Sequence, residues 1–253
     1  MTEPTTRLGR PVWVDLSTSD AAAARTFYAA VLGWDIEVNE DPQYGGYAMA
    51  RAGGLDVAGI GPAQPGAPTA WSIYFLTDDA ASLGDRISDA GGTVVMPAMT
   101  VGDVGRMAVF ADPAGAFFGA WQPNTMAGFH TGMAGSFRWA EINARGVERD
   151  LDFYHDVFGW ELSRSDLPDG GVYTSLGLDG KNFAGAMEMH PGMPPEMPSY
   201  WLVYFAVDSA DEAFARAIAA GGSQIVPPMP MPDGRFAIMR DPQGAAFAIL
   251  AGG

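Results

Sequence analysis

Two short segments each place a tryptophan two residues before a carboxylate: Trp13 before Asp15, and Trp139 before Glu141. Both segments have β-strand composition, and residues i and i+2 of a strand point to the same face. If the tryptophans face a ligand-binding hollow, the carboxylates face it as well. An indole beside a carboxylate suits a planar organic molecule that is cationic or carries hydroxyl groups. Alternatively, a buried carboxylate with a raised pKa would serve as a general base in catalysis.

Further aromatic residues are candidates for ligand contact. Phe117 and Trp121 alternate with Gly119, so these three residues share one face of a predicted strand. The absence of a side chain at position 119 is expected to enlarge the hollow. Trp71 and Trp201 occupy corresponding strands and are predicted to line the hollow too.

Arg106 and Arg235 each follow a glycine at the start of a predicted strand. They would either bind an anionic or carbonyl group of a ligand or hold a neighbouring loop in place. The other candidates also have structural alternatives. A tryptophan in a first strand is often a core residue, and Asp15 and Glu141 would pair with the arginines or face solvent if the predicted faces are shifted by one residue.

These residues recur because the chain contains one unit twice. Trp13 and Trp139 are 126 positions apart (139−13), and a Phe-Tyr…Gly-Trp motif repeats at the same offset. Such self-similarity predicts tandem domains. We place domain 1 at residues 10–123, a linker at 124–135 and domain 2 at 136–253. The repeated motifs are Phe27-Tyr28…Gly33-Trp34 with Phe153-Tyr154…Gly159-Trp160, and Asp112-Pro-Ala-Gly115 with Asp241-Pro-Gln-Gly244.

Within each domain, a pattern of one strand, one helix and three strands occurs twice. N-cap residues precede Ala-rich or amphipathic stretches, glycines end them, and Gly/Pro/Asn turns separate the strands. The chain is therefore predicted to contain four βαβββ modules, with each helix covering one face of a sheet.

Composition excludes several classes of function. The chain of 253 residues has a net charge of −16, which disfavours nucleic acids and anionic membranes and attracts cationic ligands, unless it serves solubility alone. It has no cysteine, hence no disulfide, thiolate metal site or cysteine nucleophile. No apolar stretch reaches membrane-spanning length, and the residues from Met1 to Arg10 do not resemble a secretory signal. We predict a cytoplasmic protein.

The motifs together resemble the vicinal oxygen chelate superfamily, which includes glyoxalases, extradiol dioxygenases and bleomycin-resistance proteins. The resemblance covers about residues 10 to 251 and is greatest to tandem two-domain actinobacterial members described as hydroxylase-like or glyoxalase-like. It implies an α+β fold in which four βαβββ modules form two curved, cup-like mixed sheets.

Enzymes of that superfamily hold a divalent metal inside the cup with His, Gln or Glu ligands. None of the corresponding positions in this chain carries a good ligand, because indoles and residues without polar side chains cannot bind such cations well. The three histidines, at positions 130, 155 and 190, are not placed for a metal either. We therefore expect no metal and no other cofactor. The corresponding positions are Trp13, Trp139, Trp71 or Ser72, Trp201 or Leu202, Gly119 and Ala248.

Three functions follow from these observations. The first is a metal-free protein that binds a planar aromatic, possibly cationic, natural product, as in resistance by sequestration. The second is a cofactor-independent enzyme, hydroxylase-like or lyase-like, that acts on a polyketide or phenolic substrate with Asp15 and Glu141 as catalytic residues. The third is a metal-dependent glyoxalase-like lyase or dioxygenase. The only predicted partner is a small molecule, and the protein is expected to be a monomer or homodimer. The predicted ligand-binding residues are Trp13, Trp71, Arg106, Phe117, Trp121, Trp139, Trp201 and Arg235.

Overall fold

The computed structural model of the protein describes residues 8–167, 170–232 and 234–252. Residues 1–7, which hold most of the segment predicted to lack a secretory signal, lie outside these ranges. Residue 253, the last of the predicted second domain, does so as well. Within the described ranges, no helix is long and apolar enough to cross a membrane.

The first half of the chain forms an eight-stranded mixed sheet with the strand order β2-β3-β4-β1-β5-β8-β7-β6. Module 1 comprises β1 to β4 with α1, and module 2 comprises β5 to β8 with α2. Their elements are β1 (Pro11–Thr18), α1 (Ala21–Leu32), β2 (Asp35–Val38), β3 (Ala48–Ala52), β4 (Leu55–Pro62), β5 (Ala70–Leu76), α2 (Ala80–Asp89), β6 (Thr93–Val101), β7 (Gly105–Ala111) and β8 (Phe117–Pro123).

The second half repeats this sheet with the order β10-β11-β12-β9-β13-β16-β15-β14. The predicted α+β fold of four βαβββ modules in two mixed sheets is thus confirmed. Module 3 comprises β9 to β12 with α3, and module 4 comprises β13 to β16 with α4. Their elements are β9 (Phe137–Ala144), α3 (Val147–Phe158), β10 (Glu161–Asp166), β11 (Val172–Leu178), β12 (Lys181–Glu188), β13 (Tyr200–Ala206), α4 (Ala210–Ala219), β14 (Ser223–Met231), β15 (Gly234–Arg240) and β16 (Ala246–Ala251).

The helix boundaries follow from local sequence. The carboxylate of Asp20 caps α1 by accepting a hydrogen bond from the Ala23 amide at 3.0 Å. Gly33 ends α1 with a φ of 72°, a left-handed conformation that favours glycine, and Gly159 ends α3 with a φ of 71°. The Gly-Trp motif therefore marks a helix end, and each motif tryptophan directly follows the cap glycine.

The chain packs into two compact units that do not coincide with its halves. Unit 1 contains the chain up to Trp13 with residues 73–128 and 140–201, and therefore most of modules 2 and 3. Unit 2 contains residues 14–72, residues 129–139 and the chain from Leu202, and therefore most of modules 1 and 4. The sheets run within the halves, whereas each unit combines one module from each half.

Alternation along the strands separates two faces. In β9, Ala140, Ile142 and Ala144 are completely buried, while Glu141 and Asn143 point to the opposite face. In unit 1, the ring of Phe118 in β8 contacts the ring of Tyr154 in α3. Phe118 and the residues that alternate with it in β8 therefore face a helix. We call the opposite face of each strand, away from the side chains that pack on helices, the open face.

Candidate functional site

Trp71 belongs to the helix-facing core and not to the open face. In unit 2 its Nε1 donates a hydrogen bond to the Tyr28 hydroxyl at 2.8 Å, and that hydroxyl donates to Oδ2 of Asp241 at 3.1 Å. Tyr28 is fully buried, and Trp71 is 6% exposed. The prediction that Trp71 contacts a ligand is therefore corrected: its ring packs beneath the sheet, where it supports the fold.

Unit 1 contains an equivalent network. Nε1 of Trp201 donates to the Tyr154 hydroxyl at 2.8 Å, which donates to Oδ2 of Asp112 at 3.0 Å. Trp201 is thus also a core residue instead of a ligand contact. The two networks, which we call the Trp-Tyr-Asp networks, give a structural reason for the repeated Phe-Tyr motif and for the aspartate of each Asp-Pro-x-Gly turn.

Burial fixes the protonation of these networks. Removal from water raises the pKa of Tyr28 and of Tyr154 well above the usual value of a tyrosine, so both phenols stay protonated and keep donating. Burial also raises the pKa of Asp112 and Asp241, although backbone amides of their turns oppose the shift. The networks are therefore suited to holding structure together.

The two arginines stay beside helix N-termini. Arg235 donates to Oδ1 of Asp211, in the first turn of α4, at 3.0 Å and to the carbonyl of Pro228 at 3.1 Å. Hydrogen bonds from Ser82 lower the pKa of Asp79, the N-cap of α2, and the positive charge of Arg106 contributes to that shift. The geometry favours the structural alternative, in which both arginines support local structure instead of binding a ligand.

Asp15 lies on the open face of β1, as the alternation with Trp13 predicted. Its register partner in the parallel strand β4 is Gly59. The Tyr47 hydroxyl donates to Oδ2 of Asp15 at 3.4 Å, and a Cβ atom at Gly59 would overlap that hydroxyl. The glycine thus leaves the space in which the phenol reaches the carboxylate. We call Asp15, Tyr47 and Gly59 the Asp15 cluster; all three lie in unit 2.

Module 3 repeats the arrangement within unit 1. Glu141 pairs in register with Gly185, and a Cβ atom at Gly185 would overlap the Tyr173 hydroxyl. Nδ2 of Asn143 donates to Oε1 of Glu141 at 3.1 Å, and Glu141 is only 8% exposed. We call Glu141, Asn143, Tyr173 and Gly185 the Glu141 cluster.

The sequence analysis missed both tyrosines, although a signal was present. Tyr173 follows Tyr47 by 126 positions (173−47), and Gly185 follows Gly59 by 126 (185−59), the offset of the tryptophan pair.

Trp13 is buried and Trp139 partly buried, each on the same strand face as its carboxylate.

The open face of module 2 is apolar. Register pairs Met99 with Met107, Met107 with Trp121, and Val109 with Gly119, so these side chains share one face, which also carries Phe117. Phe117 is 56% exposed and Met99 46% exposed, whereas Trp121 is buried and donates from Nε1 to the Met126 carbonyl at 2.9 Å. We call Met99, Met107, Val109, Phe117 and Trp121 the apolar platform; it lies entirely within unit 1.

Position 119 is not an empty space. Gly119 is the register partner of Tyr74 in the parallel pair of β5 and β8, and a Cβ atom at 119 would overlap the Tyr74 ring. The expectation that this glycine enlarges the hollow is therefore wrong, because the tyrosine ring lies over the glycine and occupies the space.

A sequence model of the glyoxalase/bleomycin resistance protein/dioxygenase superfamily matches residues 10–118 and again residues 136–249. The chain belongs to this superfamily. CFP32 of Mycobacterium tuberculosis, which is provisionally named a glyoxylase, is 41% identical over 96% of this chain and 95% of its own length. The anthracycline biosynthesis protein DnrV of Streptomyces peucetius is 38% identical over 96% of this chain and 93% of its own length.

Two solved structures share the fold. The Mn(II)-bound glyoxalase from Novosphingobium aromaticivorans superimposes with a TM-score of 0.68 at 18% identity, covering 97% of this chain and 82% of the other. The 2,3-dioxygenase LapB from Pseudomonas sp. KL28 gives a TM-score of 0.66 at 18% identity, covering 98% and 94%. At this identity the likeness establishes the architecture alone.

At the positions where the resemblance places metal ligands, the described side chains do not fit a divalent metal. Of the alternatives left by the sequence, Ser72 and Leu202 are the ones on the open face, because Trp71 and Trp201 face helices. Tyr74 covers Gly119, the position of a last-strand ligand. No group of three or more His, Asp or Glu residues that could hold a metal exists among the described residues. Ring nitrogens of all three histidines contact backbone groups instead.

Proposed function

We propose that the protein binds a planar aromatic small molecule on the open faces of its sheets without a resident metal. The observation that carries this proposal is the apolar platform, where the exposed Phe117 and Met99 lie on the same face of the sheet as the buried Trp121. Covering one large apolar side chain contributes about 1.5–3 kcal/mol, so Phe117 alone would give a measurable share of the affinity. Methionine adapts its shape to different aromatic ligands.

Charge and relatives support the same class of ligand. A net charge of −16 attracts cations over long distances and repels anions. The relative from Streptomyces peucetius is named for the biosynthesis of anthracyclines, which are planar polycyclic quinones that commonly carry an amino sugar. A cationic polycyclic quinone is therefore the first compound to test.

The test is titration calorimetry with daunorubicin, in buffer containing EDTA and in buffer containing Mn(II). We expect equal affinity in both buffers and an affinity reduced about tenfold in Phe117→Ala. Ile218→Ala is the matched control, because Ile218 is similarly exposed at 41% but lies on helix α4. Absence of binding across a panel of aromatic compounds, binding that requires Mn(II), or unchanged affinity in Phe117→Ala would contradict the proposal.

A second function is favoured by the two carboxylate clusters. A carboxylate beside a phenol is a pair that can accept and donate protons, as a cofactor-independent enzyme acting on a polyketide or phenolic substrate requires. Turnover that disappears in Asp15→Asn or Glu141→Gln, while binding of the same substrate persists, would support catalysis. Turnover that survives both substitutions would exclude these residues as the base.

A further inference from the structure

The Asp15 and Glu141 clusters share a chemical design. Each sets a carboxylate, which only accepts hydrogen bonds when ionised, near a donor from a neighbouring side chain. In the Asp15 cluster the donor is the Tyr47 hydroxyl, 3.4 Å from Oδ2. This separation is long for a hydrogen bond between oxygens, which prefers roughly 2.7–2.8 Å. The contact is therefore a weak one that a ligand could replace.

One ligand group satisfies both members of such a pair. A hydroxyl oxygen placed about 2.7 Å from each atom can accept from the tyrosine and donate to the carboxylate at once. An ether or a carbonyl cannot donate to the carboxylate. An ionised phenol cannot either, and it would also meet the repulsion of the carboxylate and of the chain's overall charge of −16.

We infer that the Asp15 and Glu141 clusters are recognition sites for a neutral phenolic hydroxyl of the ligand. The aromatic nature of that ligand rests on the proposed function, while the preference for an un-ionised hydroxyl follows from the clusters themselves. In the Glu141 cluster, the Tyr173 hydroxyl lies over the register partner of Glu141, and the Asn143 amide supplies an additional donor.

Glycine is part of each site. A side chain at Gly59 or Gly185 would occupy the position of the tyrosine hydroxyl. These two glycines therefore act as positioning residues for Tyr47 and Tyr173, and the same combination occurs once in each half of the chain.

Two related probes test the inference. 2-Hydroxyanthraquinone changes its visible absorption when its hydroxyl ionises, and 2-methoxyanthraquinone has the same ring system without the donor. We expect the native protein to bind the hydroxyl compound about tenfold more tightly than the methoxy compound at pH 6. We also expect the apparent pKa of the bound hydroxyl to rise by about one unit, because the neighbouring carboxylate disfavours the phenolate.

Matched substitutions then assign the effect. In the Tyr47→Phe/Tyr173→Phe double variant, the rings remain over the glycines but the hydroxyls are absent, so the affinity for 2-hydroxyanthraquinone should fall several-fold. In Asp15→Asn/Glu141→Gln, the upward shift of the ligand's pKa should disappear. 2-Methoxyanthraquinone should still bind both variants measurably, which a merely misfolded variant would not achieve.

The outcomes separate this inference from the proposed function. If neither anthraquinone binds the native protein, both the proposed function and this inference are wrong. If both compounds bind with equal affinity, or if the bound hydroxyl absorbs as a phenolate, the proposed function stands and the recognition of a neutral hydroxyl is wrong. An unchanged pKa of the bound hydroxyl in Asp15→Asn/Glu141→Gln would overturn it as well.

Discussion

The two Trp-Tyr-Asp networks have the same hydrogen bonds but differ in one neighbouring residue. In unit 1, Oδ1 of Asp150 in α3 accepts from the Ala114 amide at 3.1 Å, and Oδ1 of Asp112 accepts from the same amide at 3.0 Å. In unit 2, the position 126 residues earlier (150−126) is Ala24, which is fully buried. Unit 1 therefore holds a buried acid where unit 2 holds a methyl group.

Burying Asp150 in its ionised form is energetically unfavourable. Its side chain is completely buried, and its Oδ2 has no hydrogen-bond partner among the described residues. Burial first, and the nearby charge of Asp112 second, raise the pKa of Asp150 to about 7. The network of unit 2 is complete without a second acid, so the additional carboxyl in unit 1 is what makes that unit sensitive to pH.

The largest expected effect is on the pH dependence of stability. Because the folded pKa of Asp150 lies above the unfolded value of 3.8, the folded state holds an extra proton between these values, and stability is lost as pH rises towards 7. The loss has an upper bound of about 4 kcal/mol. Urea unfolding should show a smaller decrease from pH 4.5 to 8 in Asp150→Ala than in the native protein.

The reciprocal substitution Ala24→Asp places the acid in unit 2 instead. It should create a new loss of stability with rising pH. If the native protein loses no more stability between pH 4.5 and 8 than Asp150→Ala does, the assignment of the proton to Asp150 is wrong.

The second effect concerns the networks themselves. Tyr28→Phe and Tyr154→Phe each remove a hydroxyl and leave a buried indole N–H and a carboxyl without that partner, at a cost of about 1–3 kcal/mol in the free energy of unfolding. At pH 8 the cost should be larger for Tyr154→Phe, since Asp112 also lies beside Asp150. Equal costs in chemical denaturation at pH 8 would show that Asp150 does not couple to the network.

The third effect compares the last strands of modules 2 and 4. In unit 1 the Tyr74 ring lies over Gly119, whereas in unit 2 the register partner of Tyr204 is Ala248. Gly119→Ala should destabilise the protein by about 1–3 kcal/mol, because the added methyl group displaces the tyrosine ring. Ala248→Gly should cost only about 0.5–1 kcal/mol. Thermal unfolding of both variants distinguishes them, and a harmless Gly119→Ala would mean that Tyr74 readily moves aside.

The smallest effect is expected at the exposed ion pair of Arg235 with Asp211. The two side chains are 43% and 62% exposed, so Arg235→Gln should lower stability by less than about 1 kcal/mol, and less still in high salt. The affinity for daunorubicin should not change. A marked loss of ligand affinity in Arg235→Gln would instead restore this arginine as a ligand contact.

Repetition in the sequence predicted the modules well, because each module's boundaries depend on local caps and turns. It did not predict the correct face for Trp71 and Trp201, since both faces of these strands are largely buried. Counting back from the helix caps resolves the face: Trp13 is seven residues before Asp20 (20−13), whereas Trp71 is eight before Asp79 (79−71). One residue of difference reverses the direction of a side chain in a strand.

The carboxylate clusters could be predicted only in part. Alternation along one strand was sufficient to place Asp15 beside Trp13. Finding Tyr47 required the register between β1 and β4, which are far apart in the chain, and no local pattern carries that information. The sequence analysis also missed Asp150, although a signal was present: it lies three, four and seven residues before Phe153, Tyr154 and Val157, and therefore on their buried face of α3.

The composition of the packing units has a consequence for the origin of the chain. Each unit draws one module from each half, so a half alone would lack the modules that complete both units. A protein half this length, before the gene was duplicated, would have needed a second copy to supply them. An isolated first half should accordingly self-associate in gel filtration. In the duplicated chain the second copy is part of the same polypeptide, so the two copies can carry different residues at equivalent positions.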